Sequence, residues 1–214
     1  MKILMVGKGK MGQTFYSLYK DEITLIEKED LLSINEKYDG VIDFSHPSVI
    51  DYTLKYCQKY HVPLVIGTTS YSTKQLQQIK LVSNEIPICL DSNYSLGILC
   101  LKKCIESLSS FAFEEIVITE IHHKYKLDSP SGTSLALKSF INKMFLNSVK
   151  IVSYREDDVF GFHKIEFKNN GETISLIHDA KNRNIFAKGA RMALDYIKNK
   201  NNGLFNFGEI INGK

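Results

Sequence analysis

The sequence predicts an α/β protein: a doubly wound parallel sheet, plus a smaller α+β domain with a mixed or antiparallel sheet. Three observations carry that reading. Short apolar runs alternate with helical patterns through the first 95 residues, a glycine-rich turn follows the first run, and after Leu108 strand patterns recur without helices between them. The 214 residues suffice for one or two domains with real cores. A hydrophobic content of 43% is ordinary for a globular chain and argues against disorder. The net charge of +3, without a long basic run, gives no footprint of nucleic-acid binding. The first apolar run is too short for a signal peptide, and no segment approaches the ~18 apolar residues of a membrane span. Cys57, Cys89, Cys100 and Cys104 form no CxxC pair and read as reduced, mostly buried small hydrophobes of a cytoplasmic protein.

Residues 2–6 read as a buried parallel strand. Gly7-Lys8-Gly9-Lys10-Met11-Gly12 follows, then a helical pattern through Phe15, Leu18 and Tyr19. Strand, glycine turn and helix open a Rossmann-like dinucleotide-binding unit, because glycines let the backbone approach a pyrophosphate at a helix N-terminus. The next strand, 24–26, ends at Glu27, about 20 residues beyond the first glycine, where a carboxylate accepts from ribose hydroxyls. Lys28 beside it suits a 2′-phosphate instead, so the cofactor reads as NADH, NADPH or both.

Strands at 40–44, 63–66 and 87–90 come next, with helices expected over 48–60 and 72–82. In such sheets ligands gather at the carboxyl ends of strands. Gly67-Thr68-Thr69 and Ser92-Asn93-Tyr94 stand there, whereas Ser48 and Ser72 read as helix caps. A helix over 97–108 precedes strands at 115–121 and 149–154, then a hairpin of 162–167 with 173–178 around Asn170-Gly171. A final helix spans 186–198, and the tail from Gly203 is apolar enough to pack. The expected domains are 1–95 with 184–214 for the dinucleotide, and 96–183 for substrate binding and oligomerisation.

The densest chemistry lies in Glu120-Ile121-His122-His123-Lys124-Tyr125-Lys126-Leu127-Asp128-Ser129-Pro130-Ser131-Gly132-Thr133. Two His and two Lys precede a Pro-Ser-Gly-Thr turn, and a helical pattern runs from Ser134. Free N–H groups at the helix start, beside cations and mobile protons, suit a small dianion that is to be protonated.

This stretch, with Asp43-Phe44-Ser45, Gly67-Thr68-Thr69, Asn93-Tyr94-Ser95 and Arg183 ahead of Phe186-Ala187-Lys188-Gly189-Ala190, resembles the dihydrodipicolinate reductase family over nearly the whole chain. The resemblance implies reduction of dihydrodipicolinate (4-hydroxy-tetrahydrodipicolinate) to tetrahydrodipicolinate by NADH or NADPH in lysine and diaminopimelate synthesis, by a homotetramer. It assigns His122 as general acid with Lys126 as its partner. His123, Lys126, Gly132, Thr133 and Arg183 become substrate-carboxylate binders. The glycine turn, Glu27, Gly67, Thr68, Thr69, Ser92, Asn93 and Tyr94 hold the cofactor. The chain departs from the family pattern in a glycine turn one residue shorter, Lys10 for Arg, Ser70 for glycine, Tyr125 for His, and a trimmed 31–39 segment.

A His near pKa ~6.5 can protonate the site where hydride delivery leaves negative charge. Arg183 offers a planar fork for one carboxylate, and the Gly132-Thr133 N–H groups offer a nest for the other. His122 and His123 would point to opposite faces of a continuous strand, so both reach one ligand only where the strand ends at them. Other readings are a serine hydrolase on Ser131, His122 and Asp128, which lacks G-x-S-x-G, and a zinc site at His122-His123, which lacks further ligands at metal spacing. A Rossmann-type reductase of another small carboxylic acid and a non-enzymatic nucleotide-binding regulator remain as alternatives.

Overall fold

The computed structural model describes every residue except Leu32, Asp158, Asn212 and Lys214, and leaves the Glu29 side chain undescribed. The chain divides into two units, Met1–Tyr94 with Asn184–Lys214, and Ser95–Arg183.

In the first unit, strands β1 (Ile3–Val6), β2 (Ile23–Ile26), β3 (Gly40–Asp43), β4 (Leu64–Ile66), β5 (Pro87–Leu90) and β10 (Gly203–Phe205) form one parallel sheet in the order β10-β5-β4-β3-β1-β2. Its central strands are apolar on both faces because both are covered. On one side Leu4, Val41, Leu64 and Ile88 pack with Leu54 and Cys57 of α3 (Ile50–Tyr60) and Ile79 of α4 (Thr73–Val82). On the other lie α1 (Lys10–Tyr19), with buried Phe15, and α7 (Asn184–Ile197), with buried Ala190 and Leu194. Strand order reverses between β1 and β3, which places the crevice of such sheets at the loops after these two strands.

Local chemistry explains the boundaries. Ser72 caps α4 in a full capping box with Gln75. Ser48 does not cap α3; it lies in a 3-10 turn, Pro47–Val49, whose cap is His46, because Pro47 fixes the entry to the helix. Between β2 and β3 the described residues form one α-helical turn, α2 (Lys28–Leu31). The tail packs as expected, as β10 along β5 and then α8 (Phe207–Ile211) with Phe207 fully buried.

In the second unit, β6 (Glu115–His122), β7 (Val149–Arg155), β8 (Gly161–Asn169) and β9 (Glu172–Ala180) form a mixed sheet in the order β7-β6-β8-β9. β7 runs parallel to β6; β8 and β9 form the hairpin, turning at Asn170-Gly171 with Gly171 at φ +91°. One face is covered by α5 (Leu96–Ser107) and α6 (Gly132–Ile141), whose Ile98, Leu101, Ile105, Leu137 and Ile141 meet Ile116, Ile118, Ile165 and Phe167. Ile98, Leu101 and Ile105 define the buried stripe of α5, so Cys100 and Cys104 fall on its outer side. Both are exposed, which corrects the expectation for these two; Cys57 and Cys89 are buried, and all four are free thiols. Among the described residues no helix is long and apolar enough to cross a membrane.

Candidate active site

The glycine turn has the geometry that its residues imply. Gly7 takes φ +108°, and a Cβ there would stand 2.5 Å from the Phe44 carbonyl oxygen, so only glycine lets β1 leave so close to β3. A Cβ on Gly12 would stand 2.0 Å from the Gly7 carbonyl oxygen, so the first turn of α1 sits against the loop. Gly9 caps α1 without a side-chain hydrogen bond, which leaves the N-terminal N–H groups of a ten-residue helix open to an anion. Lys8, Gly9 and Lys10 are exposed and Met11 is half-buried. This cradle fits the pyrophosphate of a dinucleotide.

Glu27 is exposed at the end of β2, and its N–H donates to Asp30 Oδ2 at 2.9 Å. Lys8 Nζ reaches the same carboxylate at 3.5 Å, so Asp30, absent from the residues expected at the site, links the glycine turn to the turn after β2. The Lys28 ammonium lies 4.8 Å from the centre of the Tyr52 ring on α3. Thr68 Oγ1 donates to Asp43 Oδ1 at 2.9 Å and accepts from the Ser45 N–H at 2.8 Å. Asp43 also accepts from Ser45 Oγ and Thr53 Oγ1 at 2.6 and 2.9 Å, tying together the loops after β3 and β4. Burial pushes the Asp43 carboxyl up, and these hydroxyls counter it. Thr69 is exposed, and Ser70 after it takes φ +67°, a conformation that favours the glycine it replaces. Ser92 is exposed and Asn93 half-buried. Tyr94 requires a correction. Its ring is packed between Phe44 and Phe207 and its hydroxyl donates to the Ile66 carbonyl at 2.8 Å, so the side chain is a core pillar and only its main chain can serve a ligand.

In the second unit β6 ends at His122, so the strand stops where both His side chains need it to. Alternation puts Glu120 and His122 on the helix-covered face, and the register sets Glu120 opposite His163 of β8. Glu120 is fully buried and accepts from the Ser131 N–H at 3.1 Å, Ser134 Oγ at 3.0 Å and the Arg155 guanidinium at 3.2 and 3.3 Å. Burial raises this carboxyl, but the hydrogen bonds of Ser131, Ser153 and Ser134 outweigh it and hold it at about 2. His122 Nδ1 stands 3.2 Å from Glu120 Oε2, an ion-pair distance out of hydrogen-bond alignment. Burial lowers the His122 pKa, Glu120 and Asp128 oppose that, and Lys126 and Arg155 add to it. The ring fits because β8 begins with Gly161: a Cβ there would stand 3.3 Å from His122 Nε2.

The loop after β6 carries Lys126, whose Nζ meets Asp128 Oδ1 at 2.8 Å. The Gly132 N–H also lowers the Asp128 pKa through a hydrogen bond, so an internal carboxylate rests on the cation and N–H set that the sequence reading reserves for substrate. Gly132 and Thr133 form the first turn of α6, two residues earlier than the pattern implied, because Ser131 caps it by accepting from the Ser134 N–H. The same use removes Ser131 from any nucleophilic role. His123 is half-buried just past the strand end. Arg183 has a different neighbour, stacking at 5.3 Å on Phe160, which lines a concavity of about 260 Å³ with Ile121, Phe162 and Asp179. Glu120, His122 and His163 bring ligand-type atoms within 4.8 Å of one another, yet Arg155 on the same carboxylate and nearby Lys126 set positive charge where a cation would sit.

The profiles described as "Dihydrodipicolinate reductase, N-terminus" and "Dihydrodipicolinate reductase, C-terminus" match residues 20–94 and 97–211. The 4-hydroxy-tetrahydrodipicolinate reductase of Thermosipho africanus is 37% identical over 218 residues, covering 99% of this chain and 98% of that one. The enzyme of the same name from Wigglesworthia glossinidia brevipalpis is 39% identical over 210 residues, covering 95% and 77%. Among solved structures, the dipicolinate-bound dihydrodipicolinate reductase of Paenisporosarcina sp. TG-14 superposes with a TM-score of 0.79 at 21% identity, covering 96% of this chain and 97% of that one. A myo-inositol dehydrogenase from Corynebacterium glutamicum gives 0.61 at 11% identity, covering 99% and 92%. Both structural likenesses speak for the fold.

Proposed function

Since the chain belongs to the dihydrodipicolinate reductase family, we propose that it reduces 4-hydroxy-tetrahydrodipicolinate, with loss of water, to tetrahydrodipicolinate in lysine and diaminopimelate biosynthesis. The family makes it an oxidoreductase with a nicotinamide cofactor, which supplies the hydride when bound. The observation that carries the reading is the Glu120 cluster. It sets His122 beside a cation, Lys126, and at the start of a helix whose first N–H groups suit a carboxylate.

In this reading His122 donates the proton that quenches the negative charge left on the reduced skeleton. Lys126 exchanges Asp128 for a substrate carboxylate. His123, Gly132, Thr133 and Arg183 hold the two carboxylates, which fixes the acceptor carbon. The turn from Gly7 to Gly12, with Gly67, Thr68, Thr69, Ser92, Asn93 and the Tyr94 main chain, holds the cofactor, and Glu27 and Lys28 admit both NADH and NADPH. The enzyme is cytoplasmic and works as a homotetramer. The tetramer is built on the open face of the second sheet, where Ile121, Val152, Tyr154, Phe162 and Ile177 gather; light scattering at the mass of four chains is the expected result.

The direct test is oxidation of NADH or NADPH with substrate freshly made by the preceding synthase. His122→Ala should lower kcat by about 10²–10⁴-fold with cofactor affinity little changed. Thr133→Ala and Arg183→Ala should weaken binding of pyridine-2,6-dicarboxylate by roughly 1.5–3 kcal/mol in isothermal titration. Near-normal turnover of His122→Ala removes the acid assignment, and unaltered affinity in both other variants relocates the carboxylate site.

A further inference from the structure

We propose that Glu120 is a positioning residue of the reductase: its carboxylate supplies the negative charge beside which the His122 imidazolium forms. This deepens the reading above and rests on His122 as the acid.

Glu120 is fully buried, so substrate does not reach it; what it touches is protein. Three elements meet on it. β6 carries it two residues before His122, on the same face of the strand. The start of α6 gives the Ser131 N–H and the Ser134 hydroxyl, and the end of β7 gives the Arg155 guanidinium. Arg155 Nη2 also donates to the Asp128 carbonyl at 2.6 Å, so the loop that carries Lys126 is anchored to the same carboxylate. A rigid, ionised carboxylate 3.2 Å from Nδ1 favours the charged ring by Coulomb attraction, with or without hydrogen-bond alignment. It also biases the Nδ1 side towards carrying a proton, which leaves Nε2, above Gly161, as the working nitrogen.

The charged and titratable groups around His122 are Glu120 on its own strand, Lys126 and Asp128 on the loop, Arg155 on β7, and His163 on β8 with its ring centre 5.1 Å away. Glu120 and Arg155 act on the ring with opposite signs, although they are bonded to each other. That opposition separates a charge role from a merely structural one. Breaking the pair from either side disturbs the fold alike, whereas only a charge effect moves His122 in two directions.

The experiment is NMR titration of the His122 imidazole, together with kcat against pH, in the full-length wild type, Glu120→Gln and Arg155→Met. An acid must be protonated, so kcat falls as pH rises through its midpoint. Glu120→Gln should move that fall, and the NMR midpoint, down by roughly one pH unit, which is about tenfold in kcat on the alkaline limb; KM for substrate should change far less. Arg155→Met should move both upward. Unchanged midpoints in the two variants, or shifts of the same sign, overturn the proposal. If Glu120→Gln does not fold, Glu120→Asp takes its place: the same charge drawn back from Nδ1 should lower both midpoints while Arg155→Met raises them, and unchanged midpoints in Glu120→Asp overturn the proposal. An alkaline limb that survives in His122→Ala defeats the acid assignment by itself, while the NMR midpoints still decide whether Glu120 sets the charge of the ring.

Discussion

Among the described residues each unit buries one carboxylate completely, Asp43 in the first and Glu120 in the second, and the two are held in opposite ways. Asp43 is surrounded by the hydroxyls of Ser45, Thr53 and Thr68, and its pKa is raised. Glu120 has hydroxyls and a main-chain N–H too, as Asp43 has from Ser45, but it adds the Arg155 guanidinium, and its pKa is held at about 2. Asp43 is therefore a tie between loops, in a unit that presents its proposed ligand mainly with backbone: a positive-φ glycine, a bare helix start and close-packed turns. Glu120 is the centre of a charge network, in a unit whose proposed chemistry is done by side chains. The lesson is that burial alone does not define what a carboxylate does; its partners decide. The first unit should be sensitive to shape, the second to pH.

The largest expected effect probes shape. Gly12→Ala drives a Cβ to 2.0 Å from a backbone oxygen that cannot rotate away. It should lower stability by the upper end of about 1–3 kcal/mol in urea unfolding and raise KM for the cofactor. A variant of unchanged midpoint and unchanged KM would show that the glycine turn yields, and the comparison would lose its backbone half.

The next effect probes pH. His163 is buried opposite Glu120; burial first, then the charges of His122 and His178, push its pKa down to about 3. Its folded-state pKa thus lies below the unfolded value of 6.5, and the unfolded chain takes up the proton first as pH falls. The neutral ring costs nothing above pH 6.5, and stability is lost progressively from there towards pH 3. The loss is about 1.4 kcal/mol at pH 5.5. His163→Asn should remove that part of the difference between unfolding midpoints at pH 7.5 and 5.5. An identical pH dependence in both proteins would deny the second unit its special sensitivity.

The smallest effect sharpens the first unit. Lys28→Ala should weaken NADPH a few-fold more than NADH, with a gap that shrinks as salt rises, because an exposed contact is screened. Glu27→Ala should weaken NADH instead. Equal effects of Lys28→Ala on both cofactors would leave Lys28 to its Tyr52 ring and direct attention to Lys8 or Lys10.

Much of this was legible along the chain. Apolar runs, glycine and serine punctuation and the Asn170-Gly171 turn are local signals, and the structure places strands, helices and the hairpin where they fall. The stretch from His122 to Thr133 stood out equally, because its residues lie within one strand end, one loop and one helix start. Glu120 carried a readable signal as well: two residues before His122 in a strand, it had to share its face. Strand β10 was missed because a three-residue strand that begins with a glycine gives too little pattern.

The sequence by itself determined the order of the longer elements, the family resemblance and the residues that offer charge and protons. Only the tertiary structure decided how those charges are paired. His163 and Arg155 reach Glu120 through the register of β8 and the parallel docking of β7, and Gly161 gives the His122 ring its room through that same register. The tertiary fold also turned Tyr94 into the core and Cys100 and Cys104 outwards. The physical reason is range. Propensity and periodicity act over a few neighbouring residues, whereas the energy of a buried charge is set by whichever distant segments close around it.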